Sequence, residues 1–150
     1  MKIINRRASY DYQLLEKFES GIALTGPEVK SVKAGYLHLE EAFCQVKDGE
    51  VWLLNAHIHP YKFADTRGYD PRRTRRLLLH KKEILKLAQY SSQKGLTIVP
   101  VSCYTRGNKI KLEIALAKGK KKYEKREAIK KRDLEREIRN SKPEIQNKNK

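Results

Sequence analysis

The sequence predicts a mainly β protein with short helices: a small closed antiparallel barrel followed by a basic C-terminal tail. Three observations carry that expectation. Short apolar runs recur between turn signals, and one of them, Lys109–Ala117, alternates with a two-residue period. Asp48-Gly49 joins two such runs, and both residue types tolerate the positive φ of a tight hairpin. The composition then breaks at Lys118: residues 118–150 hold 14 basic and 6 acidic residues, half of the net charge of the whole chain.

Taken in order, Ser9 is placed to cap a short helix over Tyr10–Glu19, with Leu14, Leu15 and Phe18 on one face and Gly21 as its stop. Ile22-Ala23-Leu24 reads as a short strand. Thr25-Gly26-Pro27-Glu28 opens a second helix, since a proline in the first turn lacks only an N–H that would be unpaired there anyway. Val29 and Val32 give that helix one face, and Gly35 ends it. Ala42–Lys47 and Val51–Ile58 are the hairpin strands. Tyr61–Arg76 has no periodicity and reads as a loop, with Leu77-Leu78-Leu79 a short strand after it. Lys81–Tyr90 is a helix by the spacing of Ile84, Leu87 and Ala88. Leu96–Tyr104 is a strand with an edge or bulge at Pro100. Arg106-Gly107-Asn108 turns into Lys109–Ala117, whose Ile110, Leu112, Ile114 and Leu116 face inward. Several short antiparallel strands of this kind fit a closed barrel, which leaves no unpaired edge.

The expected organisation is a basic segment at 1–8, a barrel domain at 9–118 and a basic tail at 119–150. The tail has too few aliphatic residues to offset an ordering cost of roughly 1–2 kcal/mol per residue. It is expected to be disordered when free and helical to about 139 on a partner, with Glu127→Lys131 and Glu135→Arg139 as supporting pairs.

With 34 Lys+Arg against 18 Asp+Glu, the formal charge is +16. Such a field attracts polyanions, nucleic acid first and an anionic membrane second. No run approaches the roughly 18 apolar residues of a spanning segment, and the first residues are too short for a signal core of about 7–15 residues. A cytosolic protein without membrane partners is expected. Cys44 and Cys103 form no disulfide framework and read as small buried residues.

The run Arg72-Arg73-Thr74-Arg75-Arg76 concentrates guanidiniums that grip phosphates bidentately. Its plainer reading is a solvated loop. Tyr10, Tyr12, Tyr36, Tyr61, Tyr69, Tyr104 and Tyr123 are interleaved with charge and could stack unpaired bases, although any one of them is more often a half-buried core residue. Tyr123 lies in a run with no core available, which favours stacking. His57 and His59 are two apart and could form half a metal site, but no Cys or carboxylate completes it, so no metal and no cofactor are expected. No phosphate-loop, nucleophile-elbow, HExxH or CxxC pattern is present, and an enzyme is unsupported.

Three stretches together point to one family: Phe18-Glu19-Ser20-Gly21-Ile22-Ala23-Leu24-Thr25-Gly26-Pro27-Glu28-Val29-Lys30-Ser31, Asp70-Pro71-Arg72-Arg73-Thr74-Arg75-Arg76-Leu77-Leu78-Leu79-His80, and Ala117-Lys118-Gly119-Lys120-Lys121. From about Ser9 to Arg139 the chain resembles the SsrA-binding (small protein B) family. That resemblance implies an oligonucleotide-binding-type β-barrel with embedded helices. It implies binding to the tRNA-like domain of transfer-messenger RNA and delivery of that RNA, with elongation factor Tu, to stalled ribosomes for trans-translation, without catalysis. The family's RNA-gripping positions fall on Glu19, Leu78 and His80, to which the charge and aromatic pattern adds Arg72, Arg75, Arg76 and Tyr12. The tail positions Gly119, Lys120, Lys121, Tyr123, Lys125 and Arg126 are expected in the vacant message channel and decoding site of the small subunit. A monomer is expected. The alternatives are a generic single-stranded nucleic-acid-binding module and, from another class, an RNA-processing enzyme.

Overall fold

The structure is a computed structural model that describes residues 1–120. The expectations placed on Lys121, Tyr123, Lys125, Arg126 and the helix to about 139 fall outside the described residues. Met1–Gly119 form one compact unit.

The described elements are β1 (Lys2–Ile4), α1 (Arg6–Asp11), β2 (Tyr12–Ile22), α2 (Gly26–Lys33), β3 (Leu37–His38), β4 (Phe43–Lys47), β5 (Glu50–Leu54), β6 (His57–Ile58), β7 (Arg75–Leu78), α3 (Lys81–Ser91), β8 (Leu96–Arg106) and β9 (Lys109–Gly119). The architecture is mainly β with short helices around an extended antiparallel sheet, similar to an oligonucleotide-binding fold. Neighbouring strands run in the order β1-β8-β4-β5-β7-β2-β9, and β8 pairs with β9 as well. The β4–β8 join is one residue pair, Cys44 opposite Ile98.

Strand alternation sets the core. Val51, Leu53, Leu77, Leu112 and Ile114 are completely buried, while Lys109 is exposed and Lys111 and Glu113 are partly covered. Asp48 and Gly49 both adopt positive φ, which closes the β4–β5 hairpin. Thr25 caps α2: its Oγ1 accepts from the Glu28 N–H at 3.3 Å, and Glu28 Oε1 accepts from the Thr25 N–H at 3.0 Å. Cys44 and Cys103 are buried; burial pushes both thiols up, Cys103 to about 12.

Two expectations are corrected. The segment Tyr10–Glu19 is not a helix; only Arg6–Asp11 is helical, and Tyr12–Ile22 is strand β2. Its helix-forming residues are overridden by pairing with β9 from Tyr12↔Gly119 to Gly21↔Lys111, with an irregularity between Leu14 and Glu16. Residues 1–8 do not lie apart from the domain. β1 pairs with β8, and the buried Asn5 amide donates to the carbonyls of Leu39 at 3.1 Å and Pro100 at 2.8 Å. Ala8 packs with Val99 and Ala117 in a small second apolar cluster.

Candidate nucleic-acid interface

Phe18 and Ser20 point into the core, so alternation turns Glu19 and Gly21 outward on β2. Gly21 stands opposite Leu78 on one side and Lys111 on the other. Leu78 is 47% exposed on this outer face. A Cβ on Gly21 would come within 3.2 Å of the Leu78 Cβ, so the glycine lets Leu78 lie close across β2. Beside them runs a groove of about 370 Å³ with Leu24, Val29 and Leu78 as its apolar wall and Lys109 and Lys111 as its cationic rim.

Glu19 is clamped. The Tyr104 hydroxyl donates a short hydrogen bond to its Oε2, and Arg106 Nη1 reaches Oε1 at 2.9 Å and Oε2 at 3.1 Å. The Tyr104 bond, followed by Arg106, holds the Glu19 carboxyl below its ordinary range despite partial desolvation. Burial and Glu19 together push the Tyr104 phenol up to about 12. The result is an outward carboxylate whose charge is already met by a cation, which makes it compatible with a polyanion nearby. Tyr104 was visible in the sequence only as one of several tyrosines, and Arg106 only as a turn residue. Their role depends on β8–β9 and β9–β2 register, which brings residues 85 and 87 positions away onto Glu19.

His80 immediately precedes α3. Its backbone N–H donates to Glu83 Oε1 at 3.1 Å, and the residue is exposed. Arg76 and Leu78 alternate outward on β7 while Arg75 and Leu77 point inward. Arg76 is therefore on the same face as Leu78. Arg72 lies elsewhere: its Nη1 donates to the carbonyl and side-chain oxygens of Asn55, both at 3.0 Å, and pairs with Glu41 at 3.5 Å. Tyr12 is half-buried against the Ala8 cluster, roughly 20 Å along the strand from Glu19. It lines a groove that also holds Asp11, Glu40 and Glu41. Gly119 ends β9 opposite Tyr12, and Lys120 is the last described residue.

Arg75 is a correction. Expected on RNA, it has no exposed side-chain surface at all. Its Nε and Nη2 donate to Glu28 Oε2 at 2.8 and 2.5 Å, and its other donors are taken by the carbonyls of Ala56, Arg73 and Pro71 and by the Tyr69 hydroxyl. Arg73 Nη2 reaches Glu28 Oε1 at 2.6 Å. Burial raises the Glu28 pKa, but hydrogen bonds from Arg73, the Thr25 N–H and Arg75 outweigh it and hold the carboxyl at about 2. Within the arginine run, then, Arg75 is wholly structural, Arg73 partly so, and Arg76 faces out.

His57 and His59 do share a cluster, with ring centroids 6.3 Å apart, and His38 lies 5.7 Å from His57. Burial and the neighbouring Arg72 hold His57 below the usual imidazole range. Among the described residues no group of three or more His, Cys, Asp or Glu side chains is arranged to hold a metal. No described helix is long and apolar enough to cross a membrane.

The family model described as SmpB protein matches residues 2–144. The chain belongs to the SmpB protein family. Curated relatives agree: this SmpB-family chain is 57% identical to the SsrA-binding protein of Sulfurihydrogenibium sp. (strain YO3AOP1), covering 91% of this chain and 90% of that one. It is 50% identical to the SsrA-binding protein of Carboxydothermus hydrogenoformans, covering 89% and 90%. A chain of the solved structure described as "tmRNA-SmpB: a journey to the center of the bacterial ribosome" superposes with a TM-score of 0.68 at 42% identity, over 85% of this chain and 94% of that one. As an SmpB protein, the chain is a non-enzymatic RNA-binding adaptor of the transfer-messenger-RNA, trans-translation system.

Proposed function

We propose that this SmpB-family chain grips the tRNA-like domain of transfer-messenger RNA on the face that carries Glu19, Leu78 and Arg76, with His80 beside it. The observation that supports this most directly is the juxtaposition of an exposed leucine, a charge-neutralised carboxylate and the Lys109–Lys111 rim along one outer sheet face. Leu78 offers apolar surface for an unstacked base or sugar, and Glu19 offers acceptors to base amines or ribose hydroxyls. The lysines and Arg76 take phosphates. Arg72 and Tyr12 contribute at a second edge.

The unit closes as a barrel, supported by β8 pairing at both β4 and β9. It acts in the cytoplasm as a monomer and delivers the RNA with elongation factor Tu. Residues Gly119, Lys120, Lys121, Tyr123, Lys125 and Arg126 begin a tail that enters the decoding site and message channel of a stalled ribosome, where ribosomal RNA neutralises its charge. A generic single-strand binder would lack any preference for tRNA shape.

The test is competition. The isolated tRNA-like domain should displace labelled transfer-messenger RNA far better than a random single strand of equal length. Equal displacement would return the chain to the generic class. Truncation after Gly119 should leave RNA affinity nearly intact and abolish tagging on stalled ribosomes.

A further inference from the structure

Phe63 is the most exposed large apolar side chain among the described residues, at 75%. It sits in the connection between β6 and β7, and it is not alone. The Tyr61 ring meets it edge-on with centroids 5.5 Å apart, Lys30 Nζ lies 5.5 Å from the Tyr61 centroid, and Lys62 Nζ lies 4.8 Å from that of Phe63. Tyr61 also lines a groove of about 300 Å³, with Pro27, Pro60, Ala64 and Tyr69, that shares no residue with the groove beside Leu78.

This connection is pinned. The Tyr69 hydroxyl donates to the Ile58 carbonyl at 2.9 Å, and the Ala64 and Tyr69 N–H groups donate to Tyr61 and Thr66 carbonyls at 3.0 and 3.1 Å. The acids near it have other partners: Asp65 is paired with Arg67 at 2.9 Å, Glu28 on α2 with Arg73 and Arg75, and Asp70 Oδ1 accepts from the Arg72 N–H at 2.9 Å. No described acidic side chain pairs with Lys30 or Lys62. An exposed aromatic pair held in place and flanked by unopposed ammonium groups combines a stacking platform with phosphate-binding charge. An apolar protein partner would use the rings and leave the lysines facing its own surface. A single RNA strand uses both.

We propose that the Tyr61–Phe63 platform is a second RNA-contact site, on which an unpaired nucleobase stacks while Lys30 and Lys62 take the phosphates on either side. The chemistry is that of a bulged or looped-out nucleotide, in transfer-messenger RNA or in ribosomal RNA.

The experiment places the photocrosslinker p-benzoylphenylalanine at position 63 of the full chain. It is irradiated in two arms, with full-length transfer-messenger RNA alone and with that RNA on stalled ribosomes. Affinity is measured in both arms for Phe63→Ala and Phe63→Trp. Adducts to RNA are expected, and the arm and the RNA that carry them identify the source. Phe63→Ala should weaken that same complex about fivefold or more, with Phe63→Trp restoring it. Because the ring is exposed, the melting temperature should not move. An adduct to ribosomal protein alone, no adduct in either arm, or an RNA adduct with unchanged Phe63→Ala affinity would each overturn the proposal. A parallel Leu78→Ala variant separates this site from the primary one: loss there with no effect at Phe63 leaves the proposed function standing and removes only the second site.

Discussion

Two glutamates in this molecule have nearly the same partners and opposite uses. Glu28 is met by two arginines and a tyrosine hydroxyl, and Glu19 by one arginine and a tyrosine hydroxyl. The Glu28 and Arg75 side chains are 1% and 0% exposed, whereas those of Glu19 and Arg106 are 34% and 71% exposed. Inside, the charges have no alternative solvation, so the cluster locks α2 to β7 and to the connection before it. Outside, water competes for every bond, and the same groups can exchange their partners for those of a ligand. Burial, more than residue type, separates scaffold from site.

The strongest way to break this contrast is to remove Arg75. Arg75→Ala leaves Glu28 buried without its fully buried cation, with only the half-exposed Arg73 remaining, and should cost about 3–5 kcal/mol of unfolding free energy, read from urea denaturation. Acid gives the same contrast more gradually. Glu28 titrates near 2 when folded, against an ordinary value of 4.5. Its folded pKa is depressed, so its stabilisation is complete above about pH 4.5 and is lost as pH falls toward 2. Urea midpoints across that window should fall for the wild type and fall less for Glu28→Gln, which starts lower at neutral pH. At the surface the signs reverse. Glu19→Ala should leave the melting temperature unchanged and weaken transfer-messenger-RNA binding about tenfold, the scale of a hydrogen bond to a charged group. Equal losses of stability and affinity would erase the distinction. Smallest is Arg76→Ala. It should flatten the salt dependence of binding by roughly 0.7–0.9 per lost phosphate contact, and an unchanged slope would take Arg76 out of the interface.

Much of this was legible in the residues. Asp48-Gly49, Thr25-Gly26-Pro27-Glu28, the Lys81 helix and the Lys109–Ala117 alternation all carry local signals, and all four stand in the structure. β2 was not legible, because Leu14, Leu15 and Phe18 fit a helical face as well as a strand; β9, a hundred residues away in sequence, decides it. The arginine run shows the same limit. No local pattern distinguishes Arg75 from Arg76, since which one turns inward depends on the register of β7 against β5 and on the position of Glu28. Glu19 and Leu78 were found through family likeness, whereas Tyr104 and Arg106, the groups that make Glu19 usable, are assembled only by register.

The pairing of β2 with β9 and of β1 with β8 has a consequence for synthesis. The first strands to leave the ribosome meet β8 and β9 only about a hundred codons after their own have been read. Early hydrophobic residues such as Phe18 must wait with their backbone bonds to β9 unmade, exposed to chaperones and proteases. A message cut before the codons for Ile110–Leu116 would yield a product with no way to finish folding.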